Sequence, residues 1–412
     1  MARTRIDPTA SLLRPDGRID RRSFLAGAAS LGVSAFALPA AAQSGPVNIG
    51  WVRASTGRLA SLYAPQFVGG LIAVDEINAA GGIMGRLIAR LEEDDEASPA
   101  KQPQVAKKLL DAKPLAVVGP SGSSQALASV VFTGPAKVLQ ACNAAAAEMG
   151  DGTKYPYHYQ CMTNTVRQSE IMVRHLRDVM NVKRIGVLQE NTAFGEQGTA
   201  ATLTLLKSLG VTDVPVEVYP LTAPDLSPYI RNLRNANVDG VVAWIATVPA
   251  AATAFNAMYR LKWNPPVVGH NGICTETIFD HVPPEAVANV YSTYYKNLTW
   301  WGSKPPGDRQ IAYAKKIAAY PESKTVETYV ATAPYYDFVY LLKHGVETAR
   351  SWEPEKIKAV LDNTRGFKGM LGTFSFTPTN HSGLAADELV LVSIVSARSP
   401  QALGVFRERL DD

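Results

Sequence analysis

The stretch over residues 115–128, LAVVGPSGSSQALA, constrains the fold more than any other part of this chain. A short apolar run stops at Gly119-Pro120, a Ser/Gly loop follows, and helix-favouring residues come next. That order reads as strand, loop, helix. The loop then falls at the carboxyl end of its strand, where open α/β sheets bind ligands. The hydroxyls of Ser121, Ser123 and Ser124, the backbone of Gly122 and the unpaired amides of a helix N-terminus together suit a carboxylate or another anion. A capped turn without a ligand fits this stretch alone equally well. A phosphate-binding P-loop does not, because no Gly-Lys-Ser/Thr follows the glycines, and the G-x-G-x-x-G spacing of a dinucleotide site is also missing.

The same unit recurs along the chain. Residues 47–52 read as a buried strand leading into Ser55-Thr56-Gly57-Arg58. A helix follows with Phe67, Leu71, Val74 and Ile77 on one face, closed by Gly81-Gly82. Residues 87–91 form a strand ending in five acids, 92–96. With no histidine or second carboxylate cluster at ligand spacing, these read as a solvated strand end with capping aspartates and not as a metal site. A helix near 105–110 precedes the Ser/Gly loop, and the strand over 138–141 opens on Asn143-Ala144-Ala145. Such small residues leave room beside the backbone for a ligand or for a closely packed helix.

A second series begins after residue 163. A helical stripe from Ile171 to Met180 carries His175 on its apolar face. The strand over 185–188 runs out into Glu190-Asn191-Thr192-Ala193-Phe194-Gly195. A helix stops at Gly210, another starts with Ser227 as N-cap and Pro228 at N1, and the strand over 238–245 gives way to Thr247. A last strand, 266–269, ends at His270-Asn271-Gly272. Successive βα units imply parallel sheets. Residues 290–295 are extended, helices near 308–320, 328–348 and 354–362 return to the first lobe, and late strands fall at 374–376 and 389–392.

The N-terminus assigns the compartment. Arg21-Arg22 in the twin-arginine form precedes a weakly apolar run and the small residues Ala40-Ala41-Ala42, so cleavage is expected after Ala42 and export to the periplasm by the twin-arginine route. No other stretch nears the ~20 apolar residues of a spanning helix. Of the formal charge of +4 over 412 residues, most lies in this leader, leaving a nearly neutral mature chain. With no basic block, nucleic acid is excluded as a partner. The three cysteines, Cys142, Cys161 and Cys274, lack metal spacing and read as buried small hydrophobes, with a Cys142–Cys161 bridge as the alternative.

Val47 to Gly57, the segment Asp75-Glu76-Ile77-Asn78-Ala79-Ala80-Gly81-Gly82-Ile83 and Val118-Gly119-Pro120-Ser121-Gly122-Ser123-Ser124 resemble the periplasmic branched-chain amino-acid-binding family. These are receptors of ATP-binding-cassette (ABC) importers, related to amide- and urea-binding proteins. The resemblance spans nearly the whole mature chain. It implies an α/β type I periplasmic binding protein, with two doubly wound parallel-sheet lobes joined by a hinge and a ligand cleft between them. The expected limits are 1–42 for the signal, 43–163 plus 294–373 for the first lobe, and 164–293 plus 374–412 for the second. It further implies that Ser121 to Ser124 and Asn143-Ala144-Ala145 hold a ligand carboxylate, with Ala145 standing where a threonine is usual. Phe194 replaces a tyrosine, and Asn271 replaces the acid that pairs with an ammonium group. The second-lobe strand end falls at Ala246-Thr247, and Tyr63 reads as a wall.

A buried ammonium without a carboxylate partner is costly. The sequence therefore favours a small carboxylate or amide with an apolar or aromatic body over leucine, isoleucine or valine, unless another acid such as Glu276 takes the place of Asn271. The expected partners are one small ligand (an amino acid, an aromatic or aliphatic carboxylate, or an amide) and the membrane permease of an ABC importer, with the protein a monomer and no cofactor or metal. Two rivals are a sensing subunit for a membrane kinase and an exported enzyme. The twin-arginine route often carries cofactor enzymes, but His-Glu-x-x-His, Gly-x-Ser-x-Gly and Cys/His pairings are all absent.

Overall fold

The computed structural model describes residues 45–322 and 329–410; the expected signal peptide lies outside them. Strands β1 (Val47–Val52), β2 (Ile88–Glu93), β3 (Ala116–Ser121) and β4 (Leu139–Asn143) form one sheet in the order β2-β1-β3-β4, every pair parallel. Helices α1 (Val68–Ala79), α2 (Gln102–Asp111) and α3 (Ser123–Thr133) are the crossovers. Central β1 buries Ile49 and Trp51 completely, and each such side chain stabilises the lobe by about 1.5–3 kcal/mol. Parallel strands covered on both faces read as continuous apolar runs, which is why this sheet is plain in the sequence.

Helix α1 departs from its expected single apolar face. Eight of its residues, Gly69 and Gly70 among them, are buried, because α9 (Ala333–Ala349) packs over it from the other side. A Cβ on Gly70 would lie 2.9 Å from the Trp51 ring and 3.1 Å from Tyr335. Only glycine lets α1 approach both neighbours. Helices α8 (Asp308–Ala319) and α10 (Pro354–Leu361) complete this group.

The second sheet holds β5 (Ile185–Glu190), β6 (Val216–Tyr219), β7 (Gly240–Trp244), β8 (Val267–Gly269), β9 (Val290–Tyr295) and β10 (Leu389–Ser393), in the order β10-β9-β8-β7-β5-β6. All pairs are parallel except β10 with β9. Helices α4 (Thr165–Arg174), α5 (Ala193–Ser208), α6 (Ser227–Asn235) and α7 (Val248–Arg260) belong to it. Strand β9 runs through Tyr295 within this sheet, where the sequence placed the crossing at 293–294. Helix α6 is capped from Leu226 and not Ser227, whose hydroxyl instead donates to Asp225 Oδ1 at 2.7 Å.

Between the lobes the chain segments run side by side. Gln160 N donates to His381 O at 2.9 Å, and Asn164 Nδ2 donates to Ser382 Oγ at 2.9 Å. Tyr159 stacks on His381 with centroids 4.3 Å apart, and its hydroxyl donates to Asp362 at 2.6 Å. All three cysteines are free and buried.

Candidate functional site

A cavity of about 300 Å³ lies at the carboxyl ends of both sheets, within the size range of small-molecule sites. From the first lobe it is lined by Arg58 and Tyr63 after β1, Ala97 after β2, Gly122 to Gln125 after β3, and Asn143 to Ala145 after β4. From the second lobe come Glu190, Thr192 and Phe194 after β5, Ala246 after β7, and His270 to Gly272 after β8. The βα architecture thus delivers seven strand ends to one space.

The first-lobe side is rich in donors. Gly122 takes φ +90°, and its N–H donates to Asn143 O at 2.9 Å, turning the chain sharply into α3. A Cβ there would stand 2.6 Å from the Tyr63 hydroxyl. The amides of Ser123, Ser124 and Gln125 then open α3 without i−4 carbonyls to bond. Ser123 Oγ accepts from Ala146 N at 3.2 Å and Ser124 Oγ accepts from Ala193 N at 3.1 Å, so each hydroxyl keeps its proton for donation. Ala144 and Ala145 present backbone and a methyl each to the cavity. Asn143 Nδ2 is committed to Gln66 Oε1 and Ala331 O, both at 2.8 Å. Burial, then the charges of Glu190 and Asp95, raise the Tyr63 phenol well above its ordinary value, so it is a neutral donor.

The second-lobe side combines an aromatic wall with an acid. Phe194 is 7% exposed and sits edge-on to Trp244 and to His270, with centroids at 5.5 and 5.0 Å. His270 Nδ1 lies 2.7 Å from Gln168 Oε1, and burial pushes the imidazole down to about 4, so it is neutral. Asn271 is buried at the same wall, as is Tyr295, whose phenol accepts from Thr163 N at 3.4 Å. Glu190, the last residue of β5, is 3% exposed; it accepts from Thr192 Oγ1 at 2.7 Å and from Ala246 N at 3.0 Å. Burial raises its carboxyl above the ordinary value.

Nine of the eleven residues proposed from sequence line this cavity: Tyr63, Gly122, Ser123, Ser124, Asn143, Ala144, Ala145, Phe194 and Asn271. Ser121 and Thr247 do not. Ser121 Oγ pairs with the Tyr335 hydroxyl at 3.1 Å behind the wall, and Thr247 caps α7, accepting from Ala250 N at 3.4 Å. Glu276 is exposed and off the cavity, so it does not replace the missing acid. Glu190 is the acid that sequence reasoning passed over, and its strand-end position was the available signal. Among the described residues, no group of three or more His, Cys, Asp or Glu could hold a metal, and no helix is long and apolar enough to cross a membrane.

Two α/β lobes with donors on one side of a shared cleft, an acid on the other and apolar walls between form a receptor cleft for a small solute. The family model for periplasmic binding proteins matches residues 46–398, and the chain belongs to that family. Over 330 residues it is 26% identical to Leu/Ile/Val-binding protein homolog 1 of Brucella abortus, covering 77% of this chain and 82% of that protein. The branched-chain amino acid transporter substrate binding protein LivJ of Streptococcus pneumoniae, in complex with isoleucine, matches with a TM-score of 0.72 at 20% identity, over 89% of this chain and 100% of that one. A solute binding protein of an ABC transporter from R. palustris, in complex with 4-hydroxybenzoate, gives 0.73 at 15% identity, over 89% and 96%. These two structures share the fold. The chain is the periplasmic solute-binding component of an ABC importer, of a class that binds without catalysing, and it serves a membrane permease.

Proposed function

We propose that the captured ligand is a small carboxylate, or an amide, with an apolar or aromatic body. The observation that carries this reading is the set of unpaired donors at the start of α3, beside the Ala144-Ala145 wall and facing Phe194 across the cleft. Anions are stabilised at such helix starts, and Phe194 and the two alanines offer apolar area where a ligand body fits. In this reading the amides from Ser123 on and the hydroxyls of Ser123, Ser124 and Tyr63 hold the oxygens. Gly122 shapes that turn, Ala144, Ala145 and Phe194 enclose the body, and Asn143 and Asn271 close the ends. Ser121 and Thr247 act from behind. That an R. palustris structure of the same fold holds 4-hydroxybenzoate supports an aromatic acid, while the Brucella relative is named for Leu, Ile and Val.

Two further parts of the reading are export through Arg21-Arg22 by the twin-arginine route and hinge crossings near residues 163, 294 and 373. The test of the ligand class is titration calorimetry on unliganded protein with branched-chain amino acids, aromatic and aliphatic carboxylates, amides and urea. A carboxylate or amide with an apolar body should bind more tightly than any branched-chain amino acid. Leucine, isoleucine or valine binding at about 1 μM or better, with no tighter carboxylate or amide, overturns it.

A further inference from the structure

The cavity holds one ionisable group that the proposed ligand class leaves unanswered. Glu190 is buried on the second-lobe wall, and its carboxylate is held in place by Thr192 Oγ1 on one oxygen and Ala246 N on the other. An ionised carboxylate has about four lone-pair sites; the protein fills two. Among the described residues, no Lys, Arg or His lies within ion-pair distance of it. Arg58 lines the same cavity but is exposed, and Glu96, the other acid there, is already paired with Lys101 Nζ at 2.7 Å. In an open cleft water can complete the shell of Glu190. Once the lobes shut on a ligand, whatever the ligand turns towards β5 must replace that water.

We propose that Glu190 is a specificity-determining residue of this cleft, its carboxylate taking an O–H or N–H donor that the ligand presents to the second lobe. This rests on the ligand reading above and narrows it to a carboxylate or amide whose apolar body also bears a hydroxyl, amino or amide N–H group. Two observations make Glu190 and not its neighbours the reader of that group. Asn271 both donates and accepts, so it discriminates weakly. Glu190 can only accept when ionised, and its two protein bonds fix its rotamer before the ligand arrives. An analogue that lacks the donor leaves a buried charged acceptor half solvated. That mismatch weakens binding by about 10- to 100-fold.

The test is calorimetry on the mature protein with benzoate, 4-methoxybenzoate, the 2-, 3- and 4-hydroxy- and 3- and 4-aminobenzoates, and the aliphatic pair 4-methylpentanoate and 2-hydroxy-4-methylpentanoate. Phenol and 4-hydroxybenzamide serve as donors without the carboxylate. In the wild type, at least one donor-bearing probe should bind about 10- to 100-fold more tightly than its donor-free counterpart. In Glu190→Gln that ratio should fall to about threefold or less, with the donor-free probe little changed. A residue that merely ties β5 to the loop after β7 would weaken every probe by the same factor, and that result overturns the inference. So does a wild type that binds benzoate as tightly as every hydroxy and amino form; this measurement needs no variant. If phenol or 4-hydroxybenzamide binds in a Glu190-dependent manner while no carboxylate does, the carboxylate reading fails and the role of Glu190 stands. Binding of no probe at all refutes both.

Discussion

Replacing Gly122 with alanine tests whether the loop conformation builds the socket. Gly122 leads into α3 at φ 90° and ψ 137°, close to a region that glycine alone occupies without strain. Forcing alanine into it costs about 1–3 kcal/mol. The added Cβ would also stand 2.5 Å from Gln125 Oε1 and 2.6 Å from the Tyr63 hydroxyl. Gln125 is buried and tied, its Nε2 donating to Ala97 O at 2.7 Å, so it yields little. Tyr63 and the first amides of α3 must give way, and these are the proposed donors to the ligand. Losing one hydrogen bond to a charged group costs about 1.5–3 kcal/mol, which is a factor of about 10–150 in Kd. In a chain of this size a stability loss of about 2 kcal/mol lowers Tm by only a few degrees. Calorimetry with the tightest ligand found, beside a melt of the unliganded protein, separates the two effects. Gly122→Ala binding within about threefold of wild type at unchanged Tm would refute the reasoning.

Three other outcomes are expected. Ser124→Ala leaves the Ala193 amide without its acceptor across the cleft and should weaken ligand binding about tenfold, chiefly through faster release in stopped-flow; an unchanged release rate counts against that bond. Burial holds His158 down at about 4, its Nδ1 donating to Met149 O at 2.8 Å and its Nε2 accepting from Cys142 N at 3.2 Å. The unfolded chain takes up that proton first, so the contribution is full above pH 6.5 and is lost as pH falls through 6.5 towards 4, by about 3 kcal/mol. His158→Gln should flatten the fall in urea midpoint between pH 7 and pH 4.5, and an equally steep fall in the variant sinks the assignment. Arg21→Lys together with Arg22→Lys should leave precursor in the cytoplasm, whereas normal periplasmic yield speaks for another export route.

What was legible in the sequence follows burial and locality. Strands β1, β3, β5 and β7 are covered on both faces and so appear as apolar runs bounded by turns. Strand β6 was missed because it is an edge strand in which only Tyr219 is buried, and its Val216-Glu217-Val218 start reads like a loop. The antiparallel β10 against β9 is set by a distant return of the chain, which no local pattern encodes. In the site, strand ends pointed to the loops that line the cavity but not always to the residue that reaches it. Ser121 and Thr247 are each displaced from the cavity by their neighbours, one because β3 still turns it towards Tyr335, the other because it caps a helix. Glu190 escaped notice since its orientation depends on the Ala246 amide, 56 residues on.

The two sides of the cleft also decide what closes it. Direct bonds between the lobes at this rim are Ser124 with Ala193 at 3.1 Å and Gln197 with Glu148 at 2.8 Å. Each is worth about 0.5–1.5 kcal/mol net, and both face the ordering cost of two moving lobes. A ligand ring that buries about 150–250 Å² contributes about 4–6 kcal/mol at ~25 cal/mol per Å². It does so only when Phe194 and the Ala144-Ala145 wall meet across it, and that differential is what shifts an open–closed equilibrium. On the proposed ligand class, the apolar body would determine whether the lobes shut, and the rim bonds would trim the balance. Selection among bodies of one size then falls to the polar groups, because an acceptor such as Glu190, dehydrated by closure, penalises every ligand that arrives without a donor for it.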